Sequence, residues 1–97
     1  MSNVYFISDA FNIKIGKSDN PEDRLLQLQV GNARPLRILY LIPNVPEEME
    51  LHTHSVCMRY NVQGEWFKPS VVEHLKRNPW YAEHIKAYIP TRPNLRN

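Results

Sequence analysis

Glu50 occupies a position where its charge could be used for chemistry, and His54 follows it by one helical turn. At about 100° per residue, the helix predicted over residues 46–60 has Glu50 on the shoulder of its apolar stripe. A carboxylate at the margin of a buried face costs desolvation free energy unless a positive group meets it. A divalent cation, Arg24 or Lys14 could meet it, and simple pairing with a neighbouring protein cation is an equal alternative.

A second set of chemically useful residues lies in residues 4–18. β-Branched and aromatic residues over 4–7, and an alternating segment over 12–17, predict two strands joined as a hairpin. This hairpin keeps a phenol, two ammonium groups and a glycine on or beside its outer face, namely Tyr5, Lys14, Lys17 and Gly16. Such a face could be the floor of a site, and an ordinary half-buried hairpin is the alternative interpretation.

The elements between these two sets follow from local signals. Asn20 can cap a helix that has Pro21 at its first position and that ends near Val30, before Gly31. Arg24 lies beside the apolar stripe of this helix, where it can lean over the sheet, although a solvated arginine is the commoner case. Residues 36–42 are apolar enough to form a central third strand.

The second half of the chain is expected to close the core. On the helix over 46–60, the predicted core residues are Met49, Thr53, Val56, Cys57 and Tyr60, and the predicted exposed residues are Glu48, His52 and Arg59. Residues 61–67 are expected to form a loop in which Trp66 or Phe67 anchors the chain to the core. Ser70 and Glu73 predict a capping box for a short helix, and a last helix is expected to begin at Asn78 and to continue through Ile89.

Size and composition suit one small domain. The 97 residues predict a single domain over 1–90 and a flexible tail over 91–97. One cysteine excludes an internal disulfide, and the absence of a long apolar run or signal-peptide pattern predicts a soluble cytoplasmic protein without membrane contact. Cys57 lies on the apolar stripe and is interpreted as a structural thiol.

The charge distribution is uneven although the net charge is only +2. Residues 43–58 contain three Glu and no Lys or Arg, whereas residues 59–97 contain seven basic and three acidic groups. This arrangement suits a phosphate backbone approaching a metal site, and a normally mixed surface explains it equally well. The four histidines and Cys57 lack zinc-site spacing, and no phosphate-binding glycine loop or G-x-S-x-G motif is present.

Six short segments resemble, in order, the motifs of the GIY-YIG nuclease superfamily. They are VYFI, IKIGKS, Pro-x-x-Arg-Leu, a Glu, His54 and GEWF, and together they cover roughly residues 3 to 75. The resemblance is closest to the short phage and bacterial branch, which has KIG as the second motif and GEWF near the end. It implies an α/β fold with a small three-stranded antiparallel sheet flanked by helices.

The resemblance also implies roles for individual residues. Tyr5 and Gly16 match the tyrosine of the first motif and the glycine of the second, and Lys14 takes the place of the second motif's tyrosine. Arg24 matches the helix arginine that holds the scissile phosphate, Glu50 the metal ligand, and His54 the histidine one turn later. Lys14 and Lys17 would assist Tyr5 in orienting or deprotonating water, and Gly16, Lys17 and Trp66 would shape the substrate loops.

The implied activity is metal-dependent hydrolysis of nucleic-acid phosphodiester bonds, with Mg²⁺ or Mn²⁺ as cofactor. DNA is the expected partner and RNA the second, while the oligomeric state stays open, with a dimer as one option. The replacement of a tyrosine by Lys14 leaves it open which group handles the proton. A non-catalytic nucleic-acid-binding or protein-binding module on the same fold is the alternative.

Overall fold

The computed structural model describes residues 1–90 and shows one antiparallel sheet with helices on both faces. The predicted tail over 91–97 lies outside the described residues, and the domain boundary at residue 90 stays a prediction. The strands are β1 Ser2–Ser8, β2 Ile13–Ser18, β3 Arg37–Val45, β4 Asn61–Gln63, β5 Trp66–Phe67 and β6 Lys86–Ala87. The helices are α1 Pro21–Val30, α2 Met49–Val56, α3 Val71–Lys76 and α4 Pro79–His84.

The sheet has six strands in the order β4-β5-β2-β1-β3-β6, so the prediction of three strands was wrong in number. The antiparallel arrangement of β1, β2 and β3 agrees with that prediction. The additional strands have only two or three residues each. Local sequence signals are weak in such short strands, because their pairing depends on the backbone of a distant neighbour.

Each face of the sheet is covered by its own apolar cluster. Val4, Phe6 and Ile15 pack with α3, α4 and Cys57 on one face. Tyr5 and Ile7 pack with Leu25, Leu28 and Trp66 on the other, beneath α1. Because side chains alternate along a strand, neighbouring residues of β1 serve the two different clusters. The face of the sheet that bears Tyr5 is therefore covered by α1. The prediction that Tyr5 lies on or beside an outer face of the hairpin was wrong.

Helix α1 forms as predicted from its own sequence. The Asn20 side chain accepts a hydrogen bond from the backbone N–H of Asp23 at 3.1 Å, and Pro21 is the first helical residue. The helix ends at Val30, before Gly31. These signals lie within a few residues of each other, which explains why the local prediction was confirmed.

The second helix is shorter than the prediction of 46–60. It spans Met49–Val56 and continues after Cys57 as a single 3₁₀ turn, Met58–Tyr60. Thr53 and Cys57 are buried as expected, but Val56 is exposed. At about 100° per residue, Val56 lies about 80° from the midpoint of Thr53 and Cys57, so the buried stripe is narrower than predicted.

Three predictions for the C-terminal part were wrong. Residues 61–67 form the β4–β5 hairpin around Gly64, which has a positive φ of 54°, instead of a loop. The Ser70 side chain makes no capping hydrogen bond. The last helix stops at His84, because Lys86–Ala87 pairs with β3 and turns the chain into an extended conformation, which leaves Ile89 exposed. The expectation that Phe67 anchors this region was confirmed, since it is buried.

Candidate functional site

Tyr5 and Gly16 are directly opposite each other on β1 and β2. The hydroxyl end of the Tyr5 ring lies over Gly16, where a Cβ atom would be only 2.3 Å from the Tyr5 hydroxyl oxygen. Tyr5 is 1% exposed. Glycine at position 16 is therefore what allows the phenol to lie flat across β2, beneath α1.

Three charged residues act on the Tyr5 hydroxyl. Burial raises the pKa of Tyr5 above its usual value of 10.0, and the hydrogen bond and positive charge of Arg24 oppose this effect without cancelling it. The negative charges of Glu65 and Glu50 raise the pKa further. Tyr5 is thus a neutral phenol at pH 7, placed where the fields of one guanidinium and two carboxylates meet.

Arg24 reaches this position from α1. Leu25 and Leu28 of the same helix pack on the cluster that contains Tyr5, so the helix lies on the Tyr5 face of the sheet. The Arg24 Nη1 atom donates a hydrogen bond to Gln27 Oε1 at 3.1 Å, which restrains the guanidinium. The prediction that Arg24 leans over the sheet from the edge of the apolar stripe was confirmed.

Lys14 is held on the same face by β5. Its Nζ atom lies 3.1 Å from Glu65 Oε1 and 5.7 Å from the centre of the Trp66 ring. The Lys14 side chain is only 14% exposed. The pairing of Lys14 with Trp66 across β2 and β5 explains both contacts, and it brings the Lys14–Glu65 ion pair to the Tyr5 face of the sheet.

Glu50 and His54 lie together on α2, with Glu50 Oε2 4.0 Å from His54 Nε2. Both side chains are mostly buried, at 16% and 17% exposure. His54 Nε2 donates a hydrogen bond to the carbonyl oxygen of Ile15 at 2.7 Å, and its ring packs against Phe67. His54 therefore fixes α2 against β2 at the residue that precedes Gly16.

No Lys or Arg within residues 1–90 lies within ion-pair distance of Glu50. The sequence left open whether a neighbouring protein cation neutralises this carboxylate, and in the described part of the chain only His54, at 4.0 Å, could do so when protonated. The same residues contain no group of three or more His, Cys, Asp and Glu side chains that could hold a metal ion. A single carboxylate fits Mg²⁺, which keeps several waters and is commonly bound through one or two carboxylates plus substrate phosphates.

Lys17 is the predicted site residue that the fold separates from the others. Residues alternate along β2, so Lys17 lies on the face opposite Lys14 and Gly16. Its Nζ atom pairs with Glu47 Oε1 at 3.3 Å near the surface. By contrast, Tyr5, Lys14, Gly16, Arg24 and Trp66 share one face of the sheet. Glu50 lies with His54 on α2, which packs on the other face, and the charge of Glu50 still acts on the Tyr5 hydroxyl.

Glu65 is the site residue that the sequence did not reveal. It precedes Trp66 within GEWF, a segment whose aromatic residues dominate its local signal. Besides its ion pair with Lys14, its backbone carbonyl accepts a hydrogen bond from Ile15 N at 3.0 Å. The available signal was its carboxylate within a motif that already carried the resemblance, but its partner became clear only from the pairing of β5 with β2.

The T5orf172 domain profile matches residues 2–83. The chain belongs to the T5orf172 domain family. T5orf172 domains occur in phage and bacterial proteins and are linked to nuclease-like and nucleic-acid-related functions. No curated protein and no solved structure matches this T5orf172 domain. None of the helices within residues 1–90 combines the length and apolar content needed to cross a bilayer.

Proposed function

We propose that this T5orf172 domain is a metal-dependent endonuclease related to the GIY-YIG superfamily, with DNA as its substrate and RNA as the second option. The observation that carries the proposal is the Tyr5 hydroxyl, which lies over Gly16, is hydrogen-bonded by Arg24 and is within the electrostatic reach of Glu65 and Glu50. A guanidinium and a phenol can bind a phosphodiester. A carboxylate that has no Lys or Arg partner can bind a hard metal ion.

Arg24 would hold the scissile phosphate. Its guanidinium is always charged and its planar donors match phosphate oxygens, so it stabilises the charge that grows on these oxygens as water adds to phosphorus. Because Arg24 is hydrogen-bonded to Tyr5, a phosphate held by Arg24 would lie beside the phenol. Departure of the 3′ oxygen would then break its bond to phosphorus and leave a 5′-phosphate, the attacking water giving its proton to solvent and the departing oxygen taking one from solvent to become a 3′-hydroxyl.

Tyr5 would orient the attacking water through its hydroxyl. As a neutral phenol it can accept a hydrogen bond from water while donating another. Burial is the main cause of its raised pKa, with smaller contributions from Glu65 and Glu50, and the raised pKa makes proton removal from the phenol unfavourable. Lys14 would contribute positive charge beside the phosphate, held in place by Glu65 and Trp66.

Glu50 would hold Mg²⁺ or Mn²⁺, and the bound metal would supply charge stabilisation for a phosphate oxygen and the leaving oxygen. His54 would act as a positioning residue, because its Nε2 atom is occupied by the Ile15 carbonyl. Through that bond it sets the distance of Glu50 from β2. Its role in the chemistry would then be indirect.

The test compares Glu50→Gln with Glu48→Gln on supercoiled plasmid in Mg²⁺ and in EDTA. Glu48 is the matched control, because it is an exposed carboxylate just before α2 and its side chain makes no capping hydrogen bond to the helix. We expect wild type and Glu48→Gln to nick the plasmid in Mg²⁺ alone, and Glu50→Gln to lose roughly a hundredfold or more in rate. Equal cleavage by both variants would show that Glu50 does not hold the metal.

The second candidate is a module that binds nucleic acid without cutting it. The near-complete burial of Tyr5 and the direction of its pKa shift favour this option, since both hinder proton transfer. Salt-sensitive DNA binding without Mg²⁺-dependent cleavage of single-stranded, branched or duplex DNA would support it over hydrolysis.

A further inference from the structure

The turn between β1 and β2 is held rigidly by side-chain hydrogen bonds. Asp9 Oδ1 accepts from the backbone N–H groups of Phe11 at 2.9 Å and Asn12 at 2.7 Å, and Ser8 Oγ accepts from Ala10 N at 2.9 Å. Ala10 has a positive φ of 81°. This turn therefore presents the next side chain, Phe11, in one defined position.

Phe11 is 61% exposed and belongs to neither apolar cluster of the sheet. The Arg34 guanidinium carbon lies 4.5 Å from the centre of the ring, and Arg34 Nη1 is bound to Asp9 Oδ2 at 3.3 Å. The guanidinium thus covers one face of the ring while most of its surface stays open. An aromatic ring that is fixed, exposed and backed by a cation is suited to stacking with a second π-system.

The ring lies at the end of the same sheet face that bears Tyr5. Arg34 is tied to α1 by a hydrogen bond from Gln29 Nε2 to its carbonyl oxygen at 2.8 Å, and α1 covers the Tyr5 face. The four residue steps from Asn12 to Gly16 span roughly 13 Å of extended chain, a distance that a few nucleotides of a single strand can bridge.

A second aromatic–cation pair lies between the turn and Tyr5. Trp66 packs on the Tyr5 side of the sheet and carries the Lys14 ammonium 5.7 Å from its centre. The path from Phe11 to Tyr5 therefore offers aromatic rings and positive charges in alternation. This combination binds single-stranded nucleic acid, because bases stack on the rings while cations meet the backbone phosphates.

We propose that the Phe11–Arg34 pair is a stacking platform for an unpaired nucleobase of the strand whose phosphate lies at Tyr5. The proposal rests on the proposed function and specifies its substrate class as strands with unpaired bases, such as flaps, loops or single strands. Intact duplex is disfavoured, because its bases present no free π-face to the ring.

Binding is measured in EDTA by fluorescence anisotropy with a labelled 12-nucleotide single-stranded DNA, the RNA of the same sequence, and the matching DNA duplex. We expect Phe11→Ala to weaken single-strand binding about tenfold, Phe11→Trp to retain it, and duplex binding to change much less. Leu26→Ala is the control, since Leu26 is a large apolar side chain that is 66% exposed on α1 and has no aromatic ring for a base to stack on. Arg34→Lys keeps the charge but not the planar group, and should give an intermediate loss.

The DNA and RNA probes report which kind of strand the Phe11–Arg34 platform binds. Weaker binding of either probe by Phe11→Ala supports the proposal. Unchanged binding by Phe11→Ala, an equal loss for single strand and duplex, or no measurable binding by wild type would each overturn it. Because the assay excludes metal, it is independent of cleavage. If the protein cleaves plasmid but Phe11→Ala binds single strands normally, only the stacking platform is overturned. If Phe11→Ala weakens binding but the wild type cleaves nothing, only the proposed hydrolysis is overturned.

Discussion

The hydroxyl oxygen of Tyr5 lies so close to Gly16 that a Cβ atom there would be 2.3 Å away, and the ring carbon that bears the hydroxyl would be at 2.4 Å. Contacts this short do not occur in real proteins, so the Tyr5 ring can occupy this position only because residue 16 is a glycine without a Cβ atom. A single cross-strand pair thereby sets the position of the phenol relative to α1 and α2. The consequences reach both stability and activity.

Gly16→Ala should lower the free energy of unfolding by about 1–3 kcal/mol, because the added methyl group forces the buried Tyr5 ring to move. Denaturant unfolding followed by circular dichroism measures the change. Gly31→Ala is the matched control, since nothing lies within 4 Å of a Cβ at position 31 and its φ of −96° suits any residue. Equal stability of the two variants would contradict the close packing of Tyr5 on Gly16.

Arg24→Gln should raise the pKa of Tyr5 further. Arg24 lowers this pKa through its hydrogen bond and charge, so its removal leaves burial and the two carboxylates unopposed. Nuclear magnetic resonance of ¹³C-labelled tyrosine, titrated to alkaline pH, measures the shift directly. Arg59→Gln, on the exposed 3₁₀ turn, should leave the pKa of Tyr5 unchanged.

The raised pKa of Tyr5 also predicts how stability depends on pH. The folded protein holds the phenol proton more tightly than the unfolded chain, so this stabilisation is fully present below pH 10 and is lost as the pH rises through the folded pKa. Tyr5→Phe should therefore show a smaller loss of stability than wild type above pH 10. Identical alkaline unfolding curves would mean that Tyr5 titrates alike in both states.

His54→Ala should lower the free energy of unfolding by about 1–2 kcal/mol, because the Ile15 carbonyl loses its hydrogen bond from Nε2. Since this bond also positions Glu50, the Mg²⁺ concentration for half-maximal cleavage should rise. His54→Gln retains a side-chain donor and should recover part of both effects. A loss of stability with unchanged Mg²⁺ dependence would limit His54 to the packing of α2.

Cys57 should be inert to thiol reagents in the folded protein. It is fully buried, and burial raises its pKa to about 12, so little of it is the reactive thiolate at pH 7 to 8. Labelling by a disulfide reagent should be slow in buffer and rapid in guanidinium chloride. Rapid labelling of the native protein would contradict the interpretation of Cys57 as a structural thiol.

The sequence alone was sufficient for features that depend on neighbouring residues. The cap at Asn20, the end of α1 before Gly31 and the β1–β2 hairpin all follow from signals a few residues apart. The helical step also placed Glu50 beside the buried face of α2, because Thr53 and Cys57 fix the direction of that face. The order of short motifs, a property of the linear chain, suggested a nuclease superfamily, and the T5orf172 family of the chain is linked to nuclease-like functions.

Only the tertiary structure decided which chemical groups meet. The pairing of β5 with β2 gave Lys14 its partner Glu65, and the alternation along β2 turned Lys17 to the opposite face, away from the phenol. The six-stranded sheet likewise depends on pairings between segments far apart in the chain. Such contacts depend on strand register and on packing between distant segments, and local residue preferences carry little information about either.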